Sequence, residues 1–239
     1  MILARVFFNF FFWLGIRSLF ILFAVLAIPF SLFSGGKRAF YLLCRYVLRA
    51  FFWCLFTRVR VSGAERLPAE RPLLFISDRT RRLFPLYFIA FFPLPLRFVA
   101  AEGILRVPFV GRVVRMLGAI SYPRDEDDKK KSWIFGGTLF SALRKRQAVL
   151  IFYENLKGRS RKREQRRQKV VEIARTCGAD IVPVYVATRG VGNGGHRDVF
   201  LLGEVEIEIR QPLAAETLGN TSETGEKIKG IFEGSEEAP

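Results

Sequence analysis

Residues 96–125 read LRFVAAEGILRVPFVGRVVRMLGAISYPRD, and this stretch decides the fold. Arg97–Ala100 is a short apolar run of strand type, Phe109–Leu117 repeats its apolar positions at helical spacing, and Ala119–Tyr122 is strand-like again. Strand, helix and strand patterns thus alternate within this stretch. The same alternation runs outward in both directions. Leu73–Ser77, Ala148–Phe152 and Ile181–Val186 read as further strands, and Leu83–Ala90, Ser132–Arg144 and Glu164–Cys177 as helices. The expected fold class is α/β, a mainly parallel sheet flanked by helices. A last strand is predicted at Glu204–Arg210, where Val205, Ile207 and Ile209 alternate with glutamates and leave one solvated edge face.

The 239 residues leave room for one domain of ordinary size and a short anchor. The formal net charge of +16 is unevenly placed. Residues 1–56 hold six Lys/Arg and no acid (+6), residues 57–190 hold 28 basic and 12 acidic residues (+16), and residues 191–239 hold 4 basic and 10 acidic ones (−6). A basic body behind an apolar, basic N-terminus calls for an anionic partner; phospholipid and nucleic acid both qualify on charge, and the apolar N-terminus favours lipid. Nucleic acid is the weaker candidate, because no aromatic interleaving or RNA-binding motif accompanies the charge. Cys44, Cys54 and Cys177 have no CxxC spacing and His196 is the single histidine, so neither a disulfide framework nor a metal site is expected.

At the N-terminus, Val6–Ile16 (VFFNFFFWLGI) is separated by Arg17 from a second apolar run, Leu19–Phe33. A bilayer core takes about 20 apolar residues, so each run alone is short. One short transmembrane helix and a half-inserted helical pair bent at Gly15 or Pro29 both fit. A cleaved leader is a third reading, disfavoured by the length, the phenylalanine content and the lack of a small-x-small cleavage site. From Arg38 to Arg58, Phe40, Leu43, Val47, Phe51 and Leu55 recur at three- and four-residue spacing with Arg38, Arg45 and Arg49 on another side. That is an amphipathic helix, suited to the lipid interface or to packing on the domain core. Lys37 and Arg38 outnumber Arg17, which places the domain in the cytoplasm by the positive-inside rule. The chain is thus expected to divide into a membrane anchor and interfacial helix (1–57), an α/β domain (58–213) and an acidic, loosely ordered tail (214–239).

Ligands of open α/β sheets sit beyond the carboxyl ends of the strands. Here those segments are Asp78–Arg82, Arg124–Lys131, Glu154–Arg163 and Arg189 onward, and each contains arginine. Several guanidinium groups around one crevice suit a phosphate, which they hold by forked, charge-assisted hydrogen bonds. The run Lys157–Lys169, with eight Lys/Arg against Glu164, reads either as a solvated face or as a contact for anionic headgroups.

At these loops the chain resembles the phospholipid/glycerol acyltransferase family, especially the 1-acylglycerol-3-phosphate acyltransferases, over residues 61–212. Gly118, Ala119, Ile120 and Arg124 fall at the spacing of the family's second motif, and the resemblance gives Arg124 a contact to the glycerol phosphate; the alternative is a pair with Asp125 or Glu126. Ile181–Val186 (IVPVYV), with Pro183 in place, resembles the fourth motif. Where the third motif reads Phe-Pro-Glu-Gly-Thr-Arg-Ser, this chain reads FYENLKGRS. Phe152 and Glu154 are kept, Tyr153 replaces proline, Asn155 replaces glycine, and Lys157 or, with the register slid, Arg159 takes the arginine position. The resemblance implies Arg124, Glu154, Lys157 and Arg159 as phosphate-binding residues. It also implies the family reaction, acyl transfer from an acyl carrier protein or coenzyme A thioester to 1-acylglycerol-3-phosphate, with no metal or resident cofactor.

The first motif departs from the family pattern of Asn-His, four residues, Asp. SDRTRRLFPL aligned without a gap puts Asp78 at the asparagine, Arg79 at the histidine and Phe84 at the aspartate. A histidine base takes the proton of the attacking hydroxyl, whereas a guanidinium stays protonated and cannot. No catalytic pair is therefore intact. Asp78 is a weak substitute base, its pKa lowered by Arg79, Arg81 and Arg82, and His196 in GVGNGGHRD is another. The expected function is a membrane-associated acyltransferase-family protein of glycerophospholipid metabolism, catalytically degenerate but retaining lipid-phosphate binding. An active acyltransferase with a non-standard base and a basic nucleic-acid-binding surface protein stay open as alternatives.

Overall fold

Ile2–Leu32 forms one unbroken helix, α1, which carries both apolar runs. In this computed structural model, which describes residues 2–32, 35–68, 70–78, 84–123, 129–153, 156, 161–189, 204–217, 224, 228 and 230–232, the helix runs through Gly15 and Pro29 without a break. Arg17 stays on the exposed surface of α1, and Pro29, which has no N–H to donate to the ladder, lies in its last turn. The segment Trp13–Phe30 is long and apolar enough to cross a membrane, and most of it is not buried inside the protein. Leu14, Ile21, Leu22, Val25 and Ile28 form its exposed side.

Helix α2 (Gly36–Cys54) buries Phe40, Tyr41, Cys44, Leu48 and Phe52, one stripe at helical spacing. It stops four residues before the expected end at Arg58, because Arg58–Ser62 is a strand, β1. The sequence RVRVS alternates exposed Arg58, Arg60 and Ser62 with half-buried Val59 and Val61, a period of two that only a strand satisfies. Then follow β2 (Leu73–Ser77), α3 (Phe84–Phe91), β3 (Leu96–Ala101), α4 (Glu102–Arg106), α5 (Val110–Met116), β4 (Ile120–Tyr122), α6 (Lys129–Arg144), β5 (Ala148–Phe152), α7 (Arg161–Thr176), β6 (Asp180–Arg189) and β7 (Glu204–Ile209).

The seven strands form one sheet in the order β1-β7-β6-β2-β5-β3-β4. Every neighbouring pair is parallel except β6 with β7. The sheet is therefore mainly parallel, as expected, with β1 and β7 running against the other five. The expectation of β7 as an edge strand is corrected: β1 pairs along its outer side, and the edge is the arginine-bearing strand. Successive residues of β2 serve opposite faces, which is why all five are buried. Leu73 and Phe75 join a core beneath α1, α2 and α3, while Leu74 and Ile76 join a second core beneath α6 and α7.

Ile228 and Phe232 are also buried in the second core, and the ring of Phe232 stacks on Tyr153 at 4.9 Å. Tyr185 Oη donates to the carbonyl of Ile231. At these positions the acidic tail packs on the domain.

Gly63 turns the chain out of β1 with φ 81, and a Cβ there would lie 2.0 Å from the carbonyl oxygen of Ile209. Gly63→Ala is expected to destabilise the domain by about 2 kcal/mol or more, from the left-handed backbone and the clash together. An unchanged denaturation midpoint in detergent would rule this out.

Candidate functional site

Because β2, β5 and β6 are parallel neighbours, with Ser77 aligned to Phe152 and to Val184, their chains leave the sheet on one side. β3 and β4 leave on that side too. The predicted anion-binding segments therefore depart from the same end of the sheet: Arg79 follows Asp78 after β2, Glu154 follows Tyr153 after the neighbouring β5, and Arg124 follows Pro123 after β4, on the far side of β3. Arg79, Arg124, Glu154, Lys157, Arg159 and His196 themselves lie outside the described residues.

Asp78 is held by strand β6. Its backbone N–H donates to the carbonyl of Val184 (3.2 Å), and its Oδ1 accepts from the N–H of Val186 (3.3 Å). The carboxylate thus adds one rung to the β2–β6 ladder. An oxygen engaged in this way helps to position the strand end.

Phe84 opens α3 and is 2% exposed, within the core that also takes Tyr87 and Phe88 one turn later. The position that the resemblance gives to a carboxylate is therefore an apolar, solvent-free site. Tyr153, which replaces the proline of the third motif, is buried against Phe232 on the opposite face of the sheet.

One charged residue near the strand ends was not singled out from the sequence. Glu102 opens α4 directly after β3, accepts from Lys131 Nζ at 3.2 Å and pairs with Arg106. The hydrogen bond from Lys131, with Arg106 in support, holds the Glu102 carboxyl below its ordinary range. The pair ties α4 to the first turn of α6, across the segment that carries Arg124. A glutamate 29 positions from its lysine leaves no local spacing signal.

A cavity of about 390 Å³ lies between α1, α2, α3, α5 and β3. Its walls are almost wholly apolar, with Trp13, Phe20, Leu48, Leu86, Phe98 and Val113 among them. Phe152 at the end of β5, with Ala100 and Ala101 at the end of β3, carries this space up to the strand ends. Burial pushes the Cys44 thiol in the wall up to about 12, so it is a neutral lining group and no nucleophile. A pocket of this size and lining suits an alkyl chain, whose polar end would then meet the strand ends that carry Asp78 and the arginine segments.

A model of the acyltransferase family matches residues 58–187, from β1 into β6. The chain belongs to the acyltransferase family. Among relatives, this acyltransferase-family protein is 22% identical over 147 residues to a 1-acyl-sn-glycerol-3-phosphate acyltransferase of Borreliella burgdorferi, covering 62% of this chain and 58% of that one. It is 21% identical over 164 residues to the chloroplastic 1-acyl-sn-glycerol-3-phosphate acyltransferase LPAT1 of Arabidopsis thaliana, covering 66% of this chain and 44% of the other. The chain thus spans about half the length of the curated relatives it matches. Its fold is that of the crystal structure of the 1-acyl-sn-glycerophosphate acyltransferase PlsC from Thermotoga maritima, with a TM-score of 0.70 over 98% of this chain and 96% of that one at 15% identity. That likeness takes in α1 and α2 as well as the sheet.

Proposed function

We propose that this acyltransferase-family protein is a membrane-associated, cytoplasm-facing protein of glycerophospholipid metabolism that binds a lysophosphatidate-like lipid without the family's rate of acyl transfer. The observation that carries this reading is the burial of Phe84. Acyl transfer from a coenzyme A or acyl carrier protein thioester needs a group to take the proton from the attacking hydroxyl as the C–O bond forms and the thiolate leaves. Arg79 holds its proton, Phe84 supplies no carboxylate to orient a base, and one oxygen of Asp78 already accepts from Val186. Binding needs none of these groups. The cavity takes the acyl chain, Arg124, Glu154, Lys157 and Arg159 are assigned to the phosphate by the family resemblance, and the exposed side of α1 supplies the membrane contact.

The test offers purified full-length protein lysophosphatidate with acyl coenzyme A or acyl carrier protein, beside the Borreliella burgdorferi relative. Saturable lysophosphatidate binding, weakened by Arg124→Ala, is expected, with turnover at least ~100-fold below the relative. Comparable turnover that disappears in Asp78→Ala or His196→Ala would instead establish an active enzyme with a non-standard base.

A further inference from the structure

Ile104 lines the apolar cavity and is still 45% exposed, so it stands at the mouth. Val107 and Phe109 follow it on the turn between α4 and α5, at 46% and 50% exposure. Three large apolar side chains thus project within six residues of each other in sequence. Phe109 has φ 61 and ψ −57, a strained conformation for a non-glycine residue. The strain aims a ring outward, where water gives it no return.

The surroundings identify the solvent that suits it. α5 packs directly on α1, and the cavity is shared between them: Trp13, Ile16 and Phe20 form one wall, Val110, Val113 and Val114 another. The turn is therefore continuous with the helix whose exposed side carries Leu14, Ile21, Leu22 and Val25. Arg112 and Arg115, close to the turn in sequence, are exposed on α5, while the charge of Arg106 is offset by Glu102. Exposed apolar side chains with unneutralised arginines nearby in the chain suit an anionic bilayer surface, with its acyl region and its headgroups.

We propose that the α4–α5 turn, through Ile104, Val107 and Phe109, is a second bilayer-inserting element beside α1. It opens the mouth of the cavity toward the acyl region, so that a chain enters from the bilayer without crossing water. The inference rests on the membrane association proposed above, and the test separates the two.

In full-length protein carrying Cys54→Ser and Cys177→Ser, a single environment-sensitive fluorophore is placed at Val107→Cys or Phe109→Cys. Leu14→Cys on α1 and Ser141→Cys, exposed on α6, are the references. The probe is a vesicle of phosphatidylglycerol and phosphatidylethanolamine containing lipids brominated near the top of the acyl chain. Labels at 107 and 109 are expected to be quenched several-fold, as at 14, while 141 is unaffected. Quenching at 14 with 107 and 109 behaving like 141 overturns the second contact and leaves membrane association standing. No quenching at 14 overturns both. Label shifts at 107 and 109 that follow protein concentration without vesicles would assign the turn to a second copy of the chain and also overturn the proposal. As an independent reading, Val107→Asp with Phe109→Asp is expected to lower vesicle affinity ~10-fold with an unchanged circular dichroism spectrum, the size expected from losing two partly inserted side chains. An unchanged affinity counts against it.

Discussion

Phe84→Asp is expected to unfold the domain rather than repair its site, at a cost of about 5 kcal/mol or more. Removing a buried phenylalanine ring alone costs about 3–5 kcal/mol, through lost transfer energy and the cavity left behind. A carboxylate in the same place adds the cost of an unsatisfied charge, since Tyr87 and Phe88 beside it on α3 are buried in the same apolar core. Burial would raise the pKa of that aspartate above its unfolded value, so the folded state holds the proton to higher pH and stability is lost as pH rises. The variant should therefore unfold at a lower temperature at pH 7 than at pH 4.5, relative to wild type at each pH. Phe84→Leu, which keeps an apolar side chain, should lose much less. Thermal unfolding in detergent followed by circular dichroism reads both variants. A wild-type melting temperature for Phe84→Asp, with acyl transfer gained when Asp78→Asn and Arg79→His are added, would show that the site lacks only side chains and that the surrounding fold still accommodates a catalytic pair.

That experiment turns on a distinction which the sequence does not make. Aligning SDRTRRLFPL locates Phe84 at the carboxylate position, but only its burial says that the neighbourhood is apolar. Asp78 is similar. Its neighbours in the chain are arginines, and the hydrogen bond that its Oδ1 accepts from Val186 on β6 could not be read from them. Long-range partners leave no mark on local sequence.

The fold was more legible, for reasons that differ by strand. Leu73–Ser77 and Ala148–Phe152 coincide with β2 and β5, because strands covered on both faces are short apolar runs with sharp ends. β1 was missed because RVRVS follows an arginine-rich amphipathic helix and holds only two apolar residues. With β1 hidden, β7 looked like an edge. α1 was read as two runs because Arg17 breaks the apolar string, yet one charged residue on the exposed side leaves the helix intact. The cavity had no sequence signature at all: its wall is assembled from α1, α2, α3, α5 and the ends of two strands.

That cavity carries the second large prediction. Ala100 shares the face of β3 with Leu96 and Phe98, which point into the core under α1 to α3, and it lines the space near the strand ends. Ala100→Phe adds a ring to this space. The ring displaces about four methylene groups of a bound chain, and at about 0.8 kcal/mol each the loss is about 3 kcal/mol, or roughly 150-fold in affinity for a long-chain lysophosphatidate. Ala100 lies in the strand-end part of the cavity, past which chains of every length run, so a chain shorter by four carbons should lose affinity by a similar factor. An unchanged melting temperature and circular dichroism spectrum separate a filled cavity from overpacking that distorts the domain. Titration of wild type and variant with the two lipids in detergent below its micelle-forming concentration decides the matter. No loss for either length, with the fold intact, would mean that the acyl chain lies outside this cavity, and the lipid-binding site would have to be sought along the exposed side of α1.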